Sequence, residues 1–200
     1  MPQDPYVEKK FNIPELKGIS KKTIEEHLKL YAGYVKNTNL IMKIQADYGE
    51  TEDEGGKFSL AEVRRRFAFE FNGMRNHEYY FEQFEGGPMA ASAGGAFYKS
   101  IVDQFGSFEK WLEGFKQIAM TRGIGWANLY LDQRTGKILN HWIDEQHLGH
   151  LNSLRFLLGL DMWEHSYLFD YTPADKKKYV EAFFENLNWG VVEDRFEKAI

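Results

Sequence analysis

Residues 156–167 read Phe-Leu-Leu-Gly-Leu-Asp-Met-Trp-Glu-His-Ser-Tyr, and this stretch decides the fold. The apolar run at 156–160 is short enough for a buried strand. Asp161 ends that strand and His165 follows four residues later, so a carboxylate and an imidazole can bind one metal ion from two sides. Such a mixture of oxygen and nitrogen suits manganese, iron or zinc. Trp163 lies between them and can exclude water from the site.

The composition indicates a globular protein without thiol chemistry. The 200 residues are 43% hydrophobic and include no cysteine, so a metal site must use His, Asp, Glu or solvent. The net charge is −5 and no long basic run is present, so no nucleic-acid partner is predicted. The basic triplet Arg64-Arg65-Arg66 is expected to be a solvated helix face. No signal-like leader or membrane-length apolar run is present, which predicts a cytoplasmic protein with no membrane partner.

A first long helix is predicted before the acidic, glycine-rich stretch 49–56. The helix begins at Ser20 or at a capping box over residues 23–26 and continues to about Ala46. His27 lies beside its apolar stripe. A lone histidine there is usually a core residue, so the position alone does not make it a ligand.

A second long helix is predicted to begin at another capping box, over residues 59–62, and to end before Gly86-Gly87-Pro88. It carries His77 near its apolar face. Two long helices joined by a loop form an antiparallel hairpin, and His77 can then face His27 across it.

The fold is predicted to be α+β. An N-terminal antiparallel α-hairpin domain covers residues 1–87, and a C-terminal domain with a three-stranded antiparallel sheet flanked by helices covers residues 88–200. The metal site is expected between the two domains. Strands are predicted over 126–131, 137–143 and 156–160, and helices over 93–105, 107–121, 173–185 and 189–198.

Four residues are the candidate metal ligands: His27, His77, Asp161 and His165. The chain lacks the paired E-x-x-H helices of di-iron bundles, the H-E-x-x-H of zincins, the G-x-S-x-G of hydrolases and a P-loop. A mononuclear non-haem iron oxygenase prefers two histidines and one carboxylate, and four protein ligands leave too few open positions for that chemistry.

Several segments, in this order, closely resemble the iron/manganese superoxide dismutase family over almost the whole chain. They are 19–27, 76–80, 105–108, 123–126, 161–165 and 188–189. The resemblance implies that superoxide is the substrate and that one manganese or iron ion per chain, bound by the four candidate ligands, cycles between oxidation states. It also places Trp126 and Trp163 near the metal. A catalytically silent metal-binding relative is the alternative.

The resemblance also bears on the choice of metal. In the family a glutamine hydrogen-bonds the metal's solvent ligand, either from the second helix or from the sheet. Here the helix position is Gly73 and the sheet position is Gln146, with His147 as the neighbouring alternative. Gly73 is expected to leave space beside His77 that one of these residues fills. This arrangement resembles the manganese type, so manganese is the preferred prediction over iron.

The first helix departs from the family pattern at the gateway tyrosine. The family places this tyrosine eight residues after the first ligand, whereas Tyr34 follows His27 by seven. One residue rotates a helical position by about 100° unless a π-bulge absorbs it. Tyr34 is the gateway candidate and Tyr31 is its rival.

The resemblance implies a homodimer, possibly a tetramer. In the family the glutamate equivalent to Glu164 bonds a ligand histidine of the partner chain, here His165. Glu164, Tyr167 and Leu168 are therefore expected at the interface. Leu168 and Tyr31 replace a tyrosine and a histidine that normally pair across the dimer, so a rebuilt substrate funnel and interface are expected in this chain. His141 and His150 are expected at the surface or an interface.

Overall fold

The protein begins with two long antiparallel helices. The computed structural model describes residues 5–47 and 53–200. Helix α1 spans Lys21–Asp47 and helix α2 spans Glu54–Glu82, which confirms the predicted hairpin. The buried residues of α1 recur at three- and four-residue spacing, as expected for one face packed on the core. They are Thr23, Ile24, His27, Tyr31, Tyr34, Val35, Thr38 and Ile41.

Helix α1 begins at the earlier of the two predicted positions. Ser20 Oγ accepts a hydrogen bond from Thr23 N at 3.2 Å, the usual contact of an N-cap serine. The carboxylate of Asp170 accepts from Ser20 N at 2.8 Å and from Thr23 Oγ1 at 2.6 Å. The helix that carries His27 is therefore anchored to the segment that follows His165.

The predicted start of the second helix at Ser59 is wrong. Asp53 caps the helix, because its carboxylate accepts from Gly56 N at 2.6 Å, and α2 starts at Glu54. Two glycines in the first turn lower the helix propensity there and conceal the true start. Residues 49–52 of the predicted loop lie outside the described part of the chain.

The three predicted strands form one antiparallel sheet. Strand β1 spans Gly125–Asp132, β2 spans Lys137–Asp144 and β3 spans Arg155–Asp161, and β1 is central. The register places Trp126 opposite Asp161 on β3, which brings the indole next to the carboxylate that ends the strand. Antiparallel pairing on both sides of β1 confirms the predicted α+β architecture.

Four further helices flank the sheet at nearly the predicted positions. A single 3-10 turn at Pro173–Asp175 precedes the third of them. None of the described helices combines the length and the apolar character that crossing a membrane requires. The helices are α3 at Ala96–Phe105, α4 at Phe108–Ala119, α5 at Lys176–Asn186 and α6 at Trp189–Glu197.

Gln83 joins the hairpin to the sheet through two buried hydrogen bonds. Its Nε2 donates to Gly159 O at 2.8 Å, and its Oε1 accepts from Gly159 N at 2.9 Å. Arg195 reinforces this junction, because its guanidinium donates to Leu157 O at 3.0 Å and to Tyr79 O at 2.9 Å. Strand β3, which ends at Asp161, is thereby positioned against α2.

We expect Gln83→Ala to lower the free energy of unfolding by about 2–4 kcal/mol, because it leaves the buried N–H and C=O of Gly159 unpaired. Gln104→Ala is the matched control. The exposed Gln104 accepts from Ile138 N at 2.9 Å and donates to Gly136 O at 3.1 Å, where water can replace it. Urea unfolding of both variants measures the difference. Equal losses of unfolding free energy in the two variants would contradict the prediction that the buried hydrogen bonds of Gln83 to Gly159 stabilise the protein more than the exposed ones of Gln104.

Candidate metal centre

The structure brings the four candidate ligands together. His27 comes from α1, His77 from α2, Asp161 from the end of β3, and His165 from a 3-10 turn at Glu164–Ser166. One possible ligand atom from each residue lies within 4.8 Å of all the others. Asp161 Oδ2 lies 3.1 Å from His27 Nε2, 3.0 Å from His165 Nε2 and 3.6 Å from His77 Nε2. This grouping could hold one metal ion.

The hydrogen bonds of His77 fit a metal ligand. Its Nδ1 lies 2.6 Å from Gly73 O, and only a protonated nitrogen can donate to a carbonyl. Nε2 therefore carries a lone pair, and this buried atom has no hydrogen-bond partner. A lone pair that faces the Asp161 carboxylate without a shared proton is unfavourable unless a cation lies between them.

Asp161 is held rigidly at the end of β3. Its Oδ1 accepts from Trp163 N at 2.8 Å, which leaves Oδ2 for the imidazoles. Its main-chain carbonyl accepts from Ser166 Oγ at 3.0 Å and from Tyr179 Oη at 2.9 Å. The short distances to His27 and His165 are therefore imposed by contacts on both sides of the aspartate.

Burial determines the charges of the ligand set. It lowers the pKa of His27 and lowers that of His77 well below its ordinary value, so both imidazoles stay neutral. Burial alone would raise the pKa of Asp161, but the charge and hydrogen bond of His165, together with the hydrogen bond of His27, hold it well below its ordinary value. The set thus combines the anionic oxygen of Asp161 with the neutral nitrogens of His27 and His77, donors that manganese and iron accept.

Tyr34 and Gln146 meet beside the ligands. Gln146 Nε2 donates to Tyr34 Oη at 3.1 Å, while Gln146 Oε1 accepts from Trp126 Nε1 at 2.9 Å. The Tyr34 ring lies 5.0 Å from that of His77. Gln146, rather than His147, is therefore the sheet-side residue that touches the gateway candidate.

The spacing of Tyr34 requires no irregularity in α1. The helix is α-helical from Lys21 to Asp47, and seven residues make nearly two full turns, which returns Tyr34 to the face of His27. Tyr31 is engaged elsewhere: its hydroxyl accepts from Lys9 N at 2.9 Å and donates to Glu78 Oε1 at 3.2 Å. Burial raises the pKa of Tyr31 to about 12.

The expectation that Gly73 leaves space for Gln146 or His147 is wrong. A Cβ atom at Gly73 would lie 2.5 Å from Cδ1 of Tyr34, so the tyrosine ring occupies that space. Gln146 donates a hydrogen bond to the hydroxyl of that ring. The glycine permits the close packing of Tyr34 on α2.

Three partly buried rings lie outside the ligands, and we call Phe69, His147 and Trp163 the rim. The Phe69 centroid lies 6.0 Å from that of Tyr34, 5.7 Å from His147 and 6.4 Å from Trp163. Trp163 stacks on His165 with centroids 5.7 Å apart, consistent with its predicted shielding role. The side chain of His165 is 25% exposed in the single chain, whereas those of His27 and Asp161 are fully buried, so His165 is nearer the surface of the protomer than they are.

Two residues that position Gln146 were missed in the sequence. Its main-chain carbonyl accepts from Asn76 Nδ2 at 3.1 Å and lies 3.1 Å from His150 Nε2. His150 Nδ1 lies 2.7 Å from Tyr130 Oη. His150 was predicted at the surface or an interface, but it supports this loop. Asn76 adjoins a candidate ligand, which was a usable signal, whereas the sequence around His150 gives none.

The residues predicted at the dimer interface differ in exposure. Glu164 is exposed, and Leu168 is 46% exposed. Tyr167 is buried within its own protomer, with its ring centroid 5.3 Å from that of Tyr179. Leu168 and Glu164 are thus accessible to a partner chain, whereas most of the Tyr167 side chain is inaccessible because it is buried within its own protomer.

Two buried histidines from a helical hairpin meet an aspartate and a histidine at the end of a sheet strand. This arrangement is typical of a protein that binds a single metal ion. Comparison with known proteins identifies the family. The profile described as "Iron/manganese superoxide dismutases, C-terminal domain" matches residues 93–195. The chain belongs to the iron/manganese superoxide dismutase family, which confirms the resemblance inferred from its sequence motifs.

Relatives named for either metal match most of the chain. "Superoxide dismutase [Fe]" of Aquifex pyrophilus is 33% identical, over 92% of this chain and 87% of that protein. "Superoxide dismutase [Fe]" of Cupriavidus metallidurans is 34% identical, over 93% and 92%. "Superoxide dismutase [Mn] 2" of Haloferax volcanii is 33% identical, over 85% and 82%. The names therefore support iron or manganese without choosing between them.

Proposed function

We propose that this protein is a superoxide dismutase that binds one manganese or iron ion through His27, His77, Asp161 and His165. The observation that carries the proposal is the convergence of these four donors within 4.8 Å in a buried site. Membership of the family supports the same activity. An ion held there supplies a one-electron couple, so that one superoxide is oxidised to dioxygen and the next is reduced, taking up two protons to give hydrogen peroxide.

The protein's own contribution is to deliver protons and to orient hydrogen bonds. Burial raises the pKa of Tyr34, so its phenol stays protonated in the working pH range. Because Tyr34 Oη accepts from Gln146, its own proton is free to be donated to a reduced substrate anion. The Gln146 amide has a second N–H that no described residue takes, and it can donate into the space among the ligands.

The contact between Tyr34 and Gln146 favours an active enzyme over a silent metal-binding relative. The only support for the silent alternative was the altered spacing of the gateway tyrosine. That spacing still places the Tyr34 ring against His77 and its hydroxyl against Gln146. The test is superoxide consumption by purified protein of known metal content. Full occupancy with no activity would establish the silent alternative.

We expect higher specific activity with manganese than with iron. Gly73 combined with Gln146 resembles the manganese-type arrangement, and the Trp126–Gln146–Tyr34 chain of hydrogen bonds holds the amide in place. Hydrogen bonds around the ligands tune a metal's potential and bound water. One metal-free preparation loaded with each ion in turn, with occupancy verified, gives the comparison. Equal activities would mean that either metal serves, and a large excess with iron would contradict the prediction.

The division into domains at residues 1–87 and 88–200 and the homodimer are also part of the proposal. Two ligands precede the boundary and two follow it, so the site would join the domains. Glu164 is exposed beside His165, and no hydrogen bond among the described residues uses His165 Nδ1. A carboxylate from a second copy could take that N–H, in a reciprocal pair about a two-fold axis. A cytoplasmic location stays a prediction.

We expect Glu164→Ala to raise the dimer dissociation constant by about tenfold or more, because it breaks both copies of the Glu164–His165 pair. Glu113→Ala, at an exposed position of α4, is the control that removes the same charge. Sedimentation velocity across a concentration series measures both. A wild-type protein that is monomeric and fully active at micromolar concentration would contradict the predicted assembly.

A further inference from the structure

One face of the central strand is connected to both oxygens of Gln146. Side chains at alternate positions of a strand share a face, and Trp126, Asn128 and Tyr130 form such a set on β1. Trp126 donates directly to the side-chain oxygen of Gln146. Tyr130 reaches the main-chain oxygen through His150, because its hydroxyl lies 2.7 Å from the imidazole Nδ1 and Nε2 lies 3.1 Å from that oxygen. The strand therefore holds Gln146 at two places.

The hydrogen bonds around His150 have only one consistent direction. Burial lowers the pKa of His150, so at neutral pH the imidazole is uncharged and has a single N–H. A carbonyl cannot donate, so this N–H is at Nε2, which faces the main-chain oxygen of Gln146. Nδ1 then has only a lone pair, and the hydroxyl of Tyr130 must donate to it. Burial raises the pKa of Tyr130 to about 12, so the hydroxyl keeps the proton that it donates.

The unpaired oxygen of Asn128 is explained by this direction. Asn128 Nδ2 donates to the Tyr130 hydroxyl at 3.0 Å, and the buried Oδ1 has no hydrogen-bond partner among the described residues. With the amide reversed, Oδ1 would face a hydroxyl oxygen whose only proton already goes to His150, and the two oxygens would repel each other. Gly159 on β3 leaves room for the amide, because a Cβ there would lie 3.0 Å from Oδ1. The hydrogen bonds therefore run one way, from Asn128 towards Gln146.

The turn that carries Gln146 depends on side chains for its conformation. The preceding residue, Glu145, has a φ of 51°, in the left-handed region that is unfavourable for residues other than glycine. Such a conformation persists only where the surrounding contacts enforce it. The next carbonyl, that of Gln146, is held by the side chains of Asn76 and His150. Loss of either donor would let the peptide rotate and the Gln146 amide move with it.

We propose that Tyr130 is a positioning residue for Gln146 and acts through His150. Its hydroxyl holds the imidazole with the N–H at Nε2, and that N–H holds the main-chain carbonyl of Gln146. The side-chain amide then stays within reach of Tyr34 Oη, to which it donates at 3.1 Å. The effect on superoxide consumption rests on the proposed function, whereas the position of Gln146 can be measured without metal.

The indole N–H of Trp126 reports the position of the Gln146 amide, because it donates to Gln146 Oε1 at 2.9 Å. Its nuclear magnetic resonance signal is observed in metal-free protein with isotope-labelled tryptophan and assigned with Trp126→Phe. His150→Ala should weaken this hydrogen bond, shift the N–H signal upfield and speed its exchange with solvent about tenfold, as expected for loss of one hydrogen bond. Tyr130→Phe, which removes a single hydroxyl, should shift the signal in the same direction by less.

His141→Ala and Tyr171→Phe are the matched controls. His141 Nε2 lies 3.0 Å from the carbonyl of Gly149, so His141→Ala removes another contact between an imidazole and a carbonyl of the loop after β2. The Tyr171 hydroxyl donates to Gly18 O at 2.6 Å, so Tyr171→Phe removes a hydroxyl that bonds a carbonyl elsewhere. Neither control should move the Trp126 signal.

The double variant Tyr130→Phe/His150→Ala shows whether the two residues act in series. If Tyr130 acts through His150, the double variant should give the same Trp126 signal as His150→Ala alone. Additive shifts would mean that Tyr130 acts independently. The imidazole nitrogens of His150, observed with isotope-labelled histidine, should show a protonated Nε2 and an unprotonated Nδ1. The opposite assignment would contradict the direction of the hydrogen bonds.

Metal-loaded protein tests the consequence for activity. At verified occupancy, kcat/KM for superoxide should fall about tenfold in His150→Ala, the lower end of the loss found for residues that support metal ligands, and should stay near wild type in His141→Ala. Fully loaded wild-type protein that does not consume superoxide would remove the proposed function, and the Trp126 signal would still decide the positioning role. A Trp126 signal that Tyr130→Phe leaves unmoved, or that the controls move equally, would overturn the proposal.

Discussion

Asp161→Ala is expected to strip the metal from the protein, with affinity falling by more than about 100-fold, since losing a residue that merely supports a ligand costs 10–100-fold. Asp161 supplies the only negative charge of the ligand set, and its Oδ2 lies within 3.6 Å of all three imidazole nitrogens. Replacing His77 by Ala should have the same consequence. Metal analysis of the purified variants, with superoxide consumption alongside, measures the effect.

Asp144→Ala is the matched control for this experiment. Asp144 ends β2 as Asp161 ends β3, and both strands flank β1, but Asp144 is exposed and accepts from Trp142 Nε1 at 2.7 Å. It should retain full metal content. Full occupancy in Asp161→Ala and in His77→Ala would show that the ligand assignment is wrong.

Gly73→Ala is expected to lower both stability and activity. The new Cβ would lie 2.5, 2.7 and 2.9 Å from three ring atoms of Tyr34, so the ring must move and its hydroxyl must leave Gln146. Overpacking of this kind costs about 1–3 kcal/mol of unfolding free energy. Displacement of a proton donor by about 1 Å can reduce activity by about 100-fold. Urea unfolding and superoxide consumption at verified occupancy measure the two effects.

Gly33→Ala, on the facing helix, is a control that is expected to raise the free energy of unfolding instead of lowering it. Gly33 adjoins Tyr34 in α1, and a Cβ added there meets no atom within 4 Å. The exchange should stabilise the protein by about 0.5–1 kcal/mol through helix propensity alone. If both alanine variants shift stability in the same direction, the packing of Tyr34 against Gly73 is not the cause.

The fold and the four-residue cluster were predictable because their signals are local in the sequence. An apolar run followed by Asp161 and His165 predicts where β3 ends, and helical spacing places His27 and His77 on inward faces. The register between β1 and β2 then follows from the short connection at residues 133–136. These patterns of spacing can be recognised in the sequence without knowing which elements pack against one another.

The surroundings of the cluster were harder to predict because they depend on contacts between elements. Gly73 suggested an empty space, yet Tyr34 from the facing helix fills it. His150 supports the carbonyl of Gln146 only because the loop after β2 folds back on itself. Arg66 is distinguished from Arg65 by a rotation of one residue about α2, which decides whether a guanidinium meets Phe69 or solvent.

The hydrogen bonds between Gln83 and Gly159 also determine when, during synthesis of the chain, the hairpin can join the sheet. These residues are 76 positions apart, and a ribosome that adds about 5–20 residues per second needs roughly 4–15 s to make the intervening chain. During that time the nascent hairpin has its histidines and Gln83 but neither β3 nor Asp161. The inner face of the hairpin therefore stays exposed until the second half of the polypeptide has been made. Capture of the metal is therefore a late event, completed only after His165 has left the ribosome.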